Sequence, residues 1–185
     1  MPLSSPNDDV PHLSQKNSRT QEAAMFLVET FASQWFSVSF SWRDGLLVQT
    51  ELSPDILPAT PPKSAYGREL ERIVASYDRL ARDMWPELPL DTRSLTPFAL
   101  NVLRRLRQGT PRGSWTTYGR LAAACGSPGA ARAVGSVMAR NPWALIYPCH
   151  RVLAGDGGIG GFGPGTALKR TLLTLEKAWP EQKPE

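Results

Sequence analysis

An Asp-Gly pair, Asp44-Gly45, follows the run "WFSVSFSW" and immediately precedes "LLVQTEL". The first run is rich in aromatic residues and alternates apolar with polar, and the second carries the β-formers Val48 and Thr50. A two-residue hairpin turn of type I′ needs positive φ at both central positions, which Asp-Gly supplies at little cost. The chain from Met25 to Leu52 is thereby committed to antiparallel strands. "LPATPPKSAYG", with Pro58, Pro61 and Pro62, then reads as a loop. The apolar period changes after it. "RELERIVASYDRLARDMW" places Leu70, Ile73, Val74 and Tyr77 at helical spacing. "PELPLDTRSL" breaks that pattern and puts a domain boundary near Leu95.

The second half reads as helices. Thr96-Pro97 is a cap followed by proline at the first helical position, and "FALNVLRRLRQG" places Phe98, Val102, Leu103 and Leu106 on one face before Gly109 stops it. A short helix is predicted over Tyr118 to Ala124, a turn at Gly126-Ser127-Pro128, and a second helix over Gly129 to Ala139. Two short helices around a tight turn are the pattern of a helix-turn-helix, whose second helix enters a DNA groove. Helix pairs also occur in proteins that never touch DNA. The expected fold class is α+β, with four segments. A disordered lead-in covers residues 1–22, a β-sheet/helix domain 23–95, a mainly helical domain with an active-site cysteine loop 96–177, and a tail 178–185.

Charge separates the halves. From Thr96 to Lys177 there are eleven Lys and Arg against only Asp156 and Glu176, a net +9 within a chain whose total is +4. A basic segment beside an acidic one is the footprint of a polyanion-binding module, with a solvated basic surface as the competing reading. No apolar run approaches the roughly 18 residues of a membrane span, and the first residues lack the apolar core of an export signal. The expectation is a soluble cytoplasmic protein that acts as a monomer. Two cysteines, Cys125 and Cys149, provide no disulfide framework in such a compartment. A structural zinc site would need ligands that the two histidines, His12 and His150, do not supply.

One cysteine and one histidine stand side by side in "IYPCHRV", Ile146 to Val152. A nucleophilic cysteine reacts as thiolate, so it needs a base or cation close by, and a carboxylate to orient that base. Glu176 lies near the end of the amphipathic stretch "TALKRTLLTLEK" and is a candidate partner for His150. The alternative is a surface glutamate paired with Arg or Lys. The run "GDGGIGGFGPG" gives a loop of unusual backbone angles able to wall a flat pocket. It lacks the Gly-Lys-Ser/Thr ending of a P-loop and the acidic residue that follows a dinucleotide fingerprint.

"NPWALIYPCHRV" followed by "GGIGGFGPGTALKRTLLTLE", with "TYGRLA" and "ARAVGSVMARNP" upstream, resembles the O6-alkylguanine-DNA alkyltransferases over about Thr96 to Lys177. The resemblance implies single-turnover repair of double-stranded DNA carrying O6-alkylguanine, leaves O4-alkylthymine open as a further substrate, and implies no cofactor or metal. It implies that Cys149 accepts the alkyl group and that His150 deprotonates it through a water held near Glu176. Asn141 would hydrogen-bond the turn that carries the cysteine. Tyr118 would help rotate the nucleotide outward and donate a proton toward the guanine ring. Arg132 would fill the vacated stack, with Ala131, Gly135 and Arg120 also on the DNA surface. Val152, Gly163, Phe162 and Arg151 would form the base pocket, with backbone groups of Cys149 and Val152 reading the exocyclic amine. Where family members often have a hydroxyl residue this chain has Gly163, leaving only a backbone N–H there. Two other classes compete: a lesion-recognition relative, which would replace the cysteine, and a Cys-His hydrolase, which would turn over.

Overall fold

The structure, a computed structural model, describes residues 25–179; the lead-in expected over 1–22 and residues 180–185 of the tail lie outside the described residues. Strands β1 (Phe26–Ala32), β2 (Ser37–Arg43) and β3 (Leu46–Ser53) form an antiparallel sheet in the order β1-β2-β3. The β2–β3 turn is Asp44-Gly45, at φ 51° and 78°, as the hairpin reading requires. Alternation then sends Phe31, Val38, Phe40, Trp42 and Leu47 to the buried face.

Glu29 breaks this apolar face. Its carboxylate accepts from the backbone N–H groups of Lys63 and Ser64 (2.7 Å for Ser64), which ties the proline-rich loop onto the sheet. Helix α1 (Gly67–Ala75) begins at this tie. A Cβ on Gly67 would lie 2.6 Å from Glu29 Oε1 and 2.8 Å from Pro62 Cβ, so the position has no room for a side chain. Leu70, Ile73, Val74 and Tyr77 are all buried, in agreement with the helical spacing. The helix itself covers only the first half of the periodic stretch, and Tyr77–Arg79 forms a 3-10 turn. The Ser76 hydroxyl donates to the Arg72 carbonyl at 2.7 Å, a local bond that competes with continuing the helix.

Helix α2 (Pro97–Gly109) is capped by Thr96, whose hydroxyl oxygen accepts from Ala99 N–H at 3.1 Å. After it come strand β4 (Thr116–Thr117), helices α3 (Tyr118–Ala124) and α4 (Ala131–Ala139), strand β5 (Val152–Leu153) and helix α5 (Thr166–Leu175). Strands β4 and β5 pair in parallel, Thr116 with Val152 and Thr117 with Leu153. Helix α4 starts two residues later than its expected Gly129, because residues 127–130 complete the turn through a bond from Ala130 N–H to Ser127 O.

The result is a mixed α/β molecule with a small N-terminal antiparallel sheet. One apolar cluster runs through both halves, from Phe31 and Phe40 to Leu103, Trp143 and Leu172. The outer edge of β3 is where the halves meet. Thr50 N–H donates to Pro142 O at 2.7 Å, and the indole N–H of fully buried Trp143 donates to Leu47 O at 3.0 Å. Truncating a buried tryptophan costs about 3–5 kcal/mol, so this seam contributes a substantial share of a typical domain's stability. Among the described residues no helix is long and apolar enough to cross a membrane.

Candidate active site

Cys149 opens a 3-10 turn (Cys149–Arg151) between Pro148 and β5. Asn141 holds that turn from below: its side-chain amide donates to Tyr147 O at 2.8 Å and its oxygen accepts from Trp143 N–H at 3.1 Å. Between them Leu145 adopts φ 71°, a left-handed conformation costing a non-glycine residue about 1–3 kcal/mol. The side chain of Leu145 is buried, and the bonds on either side of it keep the backbone there.

Cys149 as a residue is 7% exposed. Burial pushes its pKa up, while the Asn141 amide and the Lys169 ammonium pull the other way. At rest the sulfur therefore keeps its proton, and a base must remove it. His150 is completely buried, and burial lowers its pKa against the opposing pull of Glu176. Its Nε2 lies 3.0 Å from Glu176 Oε1, whereas Nδ1 is buried without a hydrogen-bond partner among the described residues. With Nε2–H donated to the carboxylate, the neutral ring carries its lone pair on Nδ1 and can accept a proton there.

Glu176 caps the end of α5 and is 3% exposed, so it is not a surface glutamate. Burial alone would raise its pKa, but His150 and Arg151 outweigh this and hold the carboxyl well below the usual carboxylate range. Arg151 donates from Nε to Oε2 at 2.7 Å and from an Nη to Oε1 at 2.9 Å. It also grips Asp83 at 2.6 and 2.8 Å and Thr110 O at 2.9 Å. Tyr77 O–H donates to Oε1, and Arg112 reaches it at 3.5 Å.

A cavity of about 580 Å³ opens over Cys149. Asn141, Tyr118, Gly135, Phe162 and Gly163 line it, and Gln49 to Leu52 of β3 form its opposite wall. Tyr118 stands at the first turn of α3, its pKa raised by burial and then by Cys149, so the phenol stays protonated. Glycines flank its ring. A Cβ on Gly135 would lie 3.9 Å away, and one on Gly160, at φ 65°, 3.6 Å away. Phe162 sets its ring edge-on to His150 at 6.4 Å. The lysine of α5, Lys169, donates to Val152 O at 2.7 Å and Gly161 O at 3.3 Å, pinning the glycine-rich loop. Burial pushes its pKa down to about 8, with Cys149 opposing.

Arg151 and Val152, both expected in the base pocket, have their side chains set back from it. Neither lines the cavity. The Arg151 guanidinium points the other way, because the carboxylates able to pair it lie behind the cysteine turn. The Val152 side chain is in the core, and its carbonyl accepts from Lys169 with a second lone pair left for the expected backbone contact. The remaining expected residues fall into two groups. Cys149, His150, Glu176, Asn141 and Tyr118 converge on the cavity and the cluster beneath it. Arg120 and Arg132 are exposed on α3 and α4, with Ala131 and Gly135 half-buried beside them. Among the described residues, Arg104 and Arg105 of α2 and Arg120, Arg132 and Arg140 form no ion pair. Cys125, at the end of α3, does not line the cavity.

Sequence reasoning missed Tyr77, Asp83, Arg112, Lys169 and Thr50. Only Lys169 had a local signal: it stands three and four residues before Leu172 and Leu173, on the inward face of α5.

Fold and site define a protein whose buried thiol, backed by an imidazole–carboxylate pair, opens onto a cleft, with arginines exposed on α3 and α4 that form no ion pair among the described residues. Residues 97–178 match the family model described as "6-O-methylguanine DNA methyltransferase, DNA binding domain". The chain is 38% identical over 119 residues to the methylated-DNA–protein-cysteine methyltransferase of Mycobacterium tuberculosis (strain ATCC 25618 / H37Rv), covering 64% of this chain and 70% of that protein. It is 31% identical over 185 residues to the protein of that name from Thermococcus kodakarensis, covering 90% and 98%. A crystal structure of M. tuberculosis OGT in complex with DNA superposes with a TM-score of 0.65 at 30% identity, over 80% of this chain and 91% of that one. The chain belongs to the methylated-DNA–protein-cysteine methyltransferase family.

Proposed function

We propose that this protein repairs DNA by direct reversal of damage, moving the alkyl group of O6-alkylguanine irreversibly onto its own Cys149. The observation that carries this reading is the buried Cys149 thiol at the base of the cavity, backed by the His150–Glu176 pair at 3.0 Å. His150 takes the thiol proton at Nδ1 through a bridging water. The thiolate then attacks the alkyl carbon. An S–C bond forms as the C–O bond breaks, the electron pair passes to the guanine oxygen and ring, and Tyr118 O–H supplies a proton toward the ring. Direct displacement balances without a cofactor or metal, and the thioether product explains a single turnover.

In this reading α3, the turn at residues 125–130 and α4 act as a helix-turn-helix, with α4 against the DNA. The lesion lies inside the duplex, so the nucleotide must be flipped out at a cost of a few kcal/mol. Arg132, exposed at the first turn of α4, fills the gap, while Arg120 and Arg104 meet phosphates. Residues 96–177 form the working domain of a cytoplasmic monomer, and the sheet before Leu95 braces it.

Intact-mass spectrometry after incubation with O6-methylguanine duplex tests this. One stoichiometric methyl adduct, mapped to Cys149, is expected. Catalytic turnover without an adduct would favour a Cys-His hydrolase, and binding without an adduct a recognition protein.

A further inference from the structure

Glu176 Oε1 receives four donors. They are His150 Nε2 at 3.0 Å, Arg151 at 2.9 Å, Arg112 at 3.5 Å and the hydroxyl of Tyr77. The first three come from the same half of the chain as Glu176. Tyr77 comes from the turn after α1, ninety-nine residues earlier. Its position is closely determined. One side of the ring meets Phe36 edge-on at 5.2 Å, and the Arg112 guanidinium lies 4.5 Å over the ring. The same guanidinium donates to Tyr77 O at 2.6 Å and Leu175 O at 3.3 Å. A phenylalanine would fill this space equally well, so packing alone does not account for the hydroxyl.

We propose that Tyr77 is a positioning residue for alkyl transfer: its hydroxyl shares Glu176 Oε1 with His150 Nε2, and so limits how strongly the carboxylate favours a protonated imidazole. The inference rests on Cys149 being the alkyl acceptor and His150 its base. A buried carboxylate facing one imidazole favours its protonated form, so the strength of that pull sets how readily His150 takes the thiol proton. Here the charges of Glu176 and Asp83 face those of Arg112 and Arg151, with Lys169 on the Cys149 side. The cluster is thus close to balanced while His150 is neutral. Tyr77 adds a charge-assisted donor without adding charge, which draws the Oε1 electron density away from the ring. Burial first, and Glu176 next, raise the pKa of the phenol, so it stays a donor.

The sign of the effect follows. Removing the hydroxyl leaves Oε1 freer to stabilise imidazolium, so the imidazolium–thiolate pair gains population over the neutral pair. In Tyr77→Phe the midpoint of the pH–rate profile for methyl transfer to Cys149 should move to lower pH. About half a unit is expected, roughly threefold faster reaction below the wild-type midpoint, with the high-pH plateau little changed. In a Glu176→Gln background the same change should leave the midpoint where it is. 3-Fluorotyrosine at position 77, a stronger donor of nearly the same shape, should move the midpoint up, and serves if the phenylalanine variant fails to fold. A lower plateau or melting temperature with an unmoved midpoint would reduce Tyr77 to packing and overturn the inference, as would a shift of the opposite sign. If the wild-type protein forms no adduct on Cys149, the function reading itself falls. If it does and neither change at position 77 moves the midpoint, only the role of Tyr77 falls.

Discussion

The hydroxyl of Thr50 donates to the backbone carbonyl of Ala144 at 3.0 Å, across ninety-four residues of chain. Together with the bond from Thr50 N–H to Pro142 O, it clamps the segment that runs from Asn141 to the cysteine turn. Thr50→Val keeps the shape but leaves the Ala144 carbonyl buried without this donor. That should cost about 1–3 kcal/mol of stability, read from urea unfolding, and slow alkyl transfer as Asn141 loosens. Thr50→Ser should recover most of both. A valine variant as stable and fast as the parent would show that the clamp does not position the turn.

Cys149→Ala should abolish alkyl transfer and leave DNA affinity nearly intact, since the buried sulfur faces the cavity rather than the exposed arginines of α3 and α4. Cys125, half-buried and with a pKa raised by burial, should remain unmodified. An adduct on Cys125 above background, seen by peptide mapping, would contradict this.

Glu176→Gln should be costly in two ways. It leaves Arg112 buried without its anion and Arg151 with Asp83 as its one remaining carboxylate, a loss of up to about 3–5 kcal/mol by analogy with other broken buried pairs. It also changes the pH dependence. The native pKa of Glu176 lies below its unfolded value, so its stabilisation is fully present above about pH 4.3 and is lost as pH falls through the native pKa. Melting temperatures followed from pH 7 downward should therefore converge for the two proteins in acid. A gap that stays constant down to pH 2 would rule out this linkage. Transfer should slow as well, by less than in His150→Ala.

Arg132 offers a contrast between two kinds of contact. A phosphate contact releases counterions, so its loss weakens binding uniformly and lowers the salt slope by about one. A wedge in the base stack instead stabilises the flipped state. Arg132→Ala should slow repair of duplex DNA far more than reaction with free O6-alkylguanine base, and a mismatch at the lesion should restore part of the rate. Equal slowing on both substrates would place Arg132 in the pocket or the fold.

The sequence by itself determined the local features. The Asp44-Gly45 turn, the Thr96 cap on α2, the limits of α3 and the inward face of α1 were all readable, because each depends on residues within a turn or two of one another. The adjacency of Cys149 and His150 and the basic second half were legible for the same reason, and with the resemblance they pointed to the site. Helix α1 was legible in its face but not its length, since its periodic pattern runs on through a turn that the Ser76 hydroxyl helps end. Only the tertiary structure decided where Arg151 points. Successive side chains on a 3-10 turn project about 120° apart, so three neighbours such as Cys149, His150 and Arg151 face three directions. Which one meets the cavity and which meets a carboxylate depends on what the rest of the chain brings alongside. Here Asp83, Tyr77 and Glu176 arrive from two other segments and draw the guanidinium behind the cysteine, while β3 closes the far wall of the cavity. Ion pairs and hydrogen bonds between groups so far apart in sequence have no local period or cap to announce them. They exist only once apolar burial has assembled the core, and that assembly placed His150, Glu176 and the Cys149 thiol in one cluster.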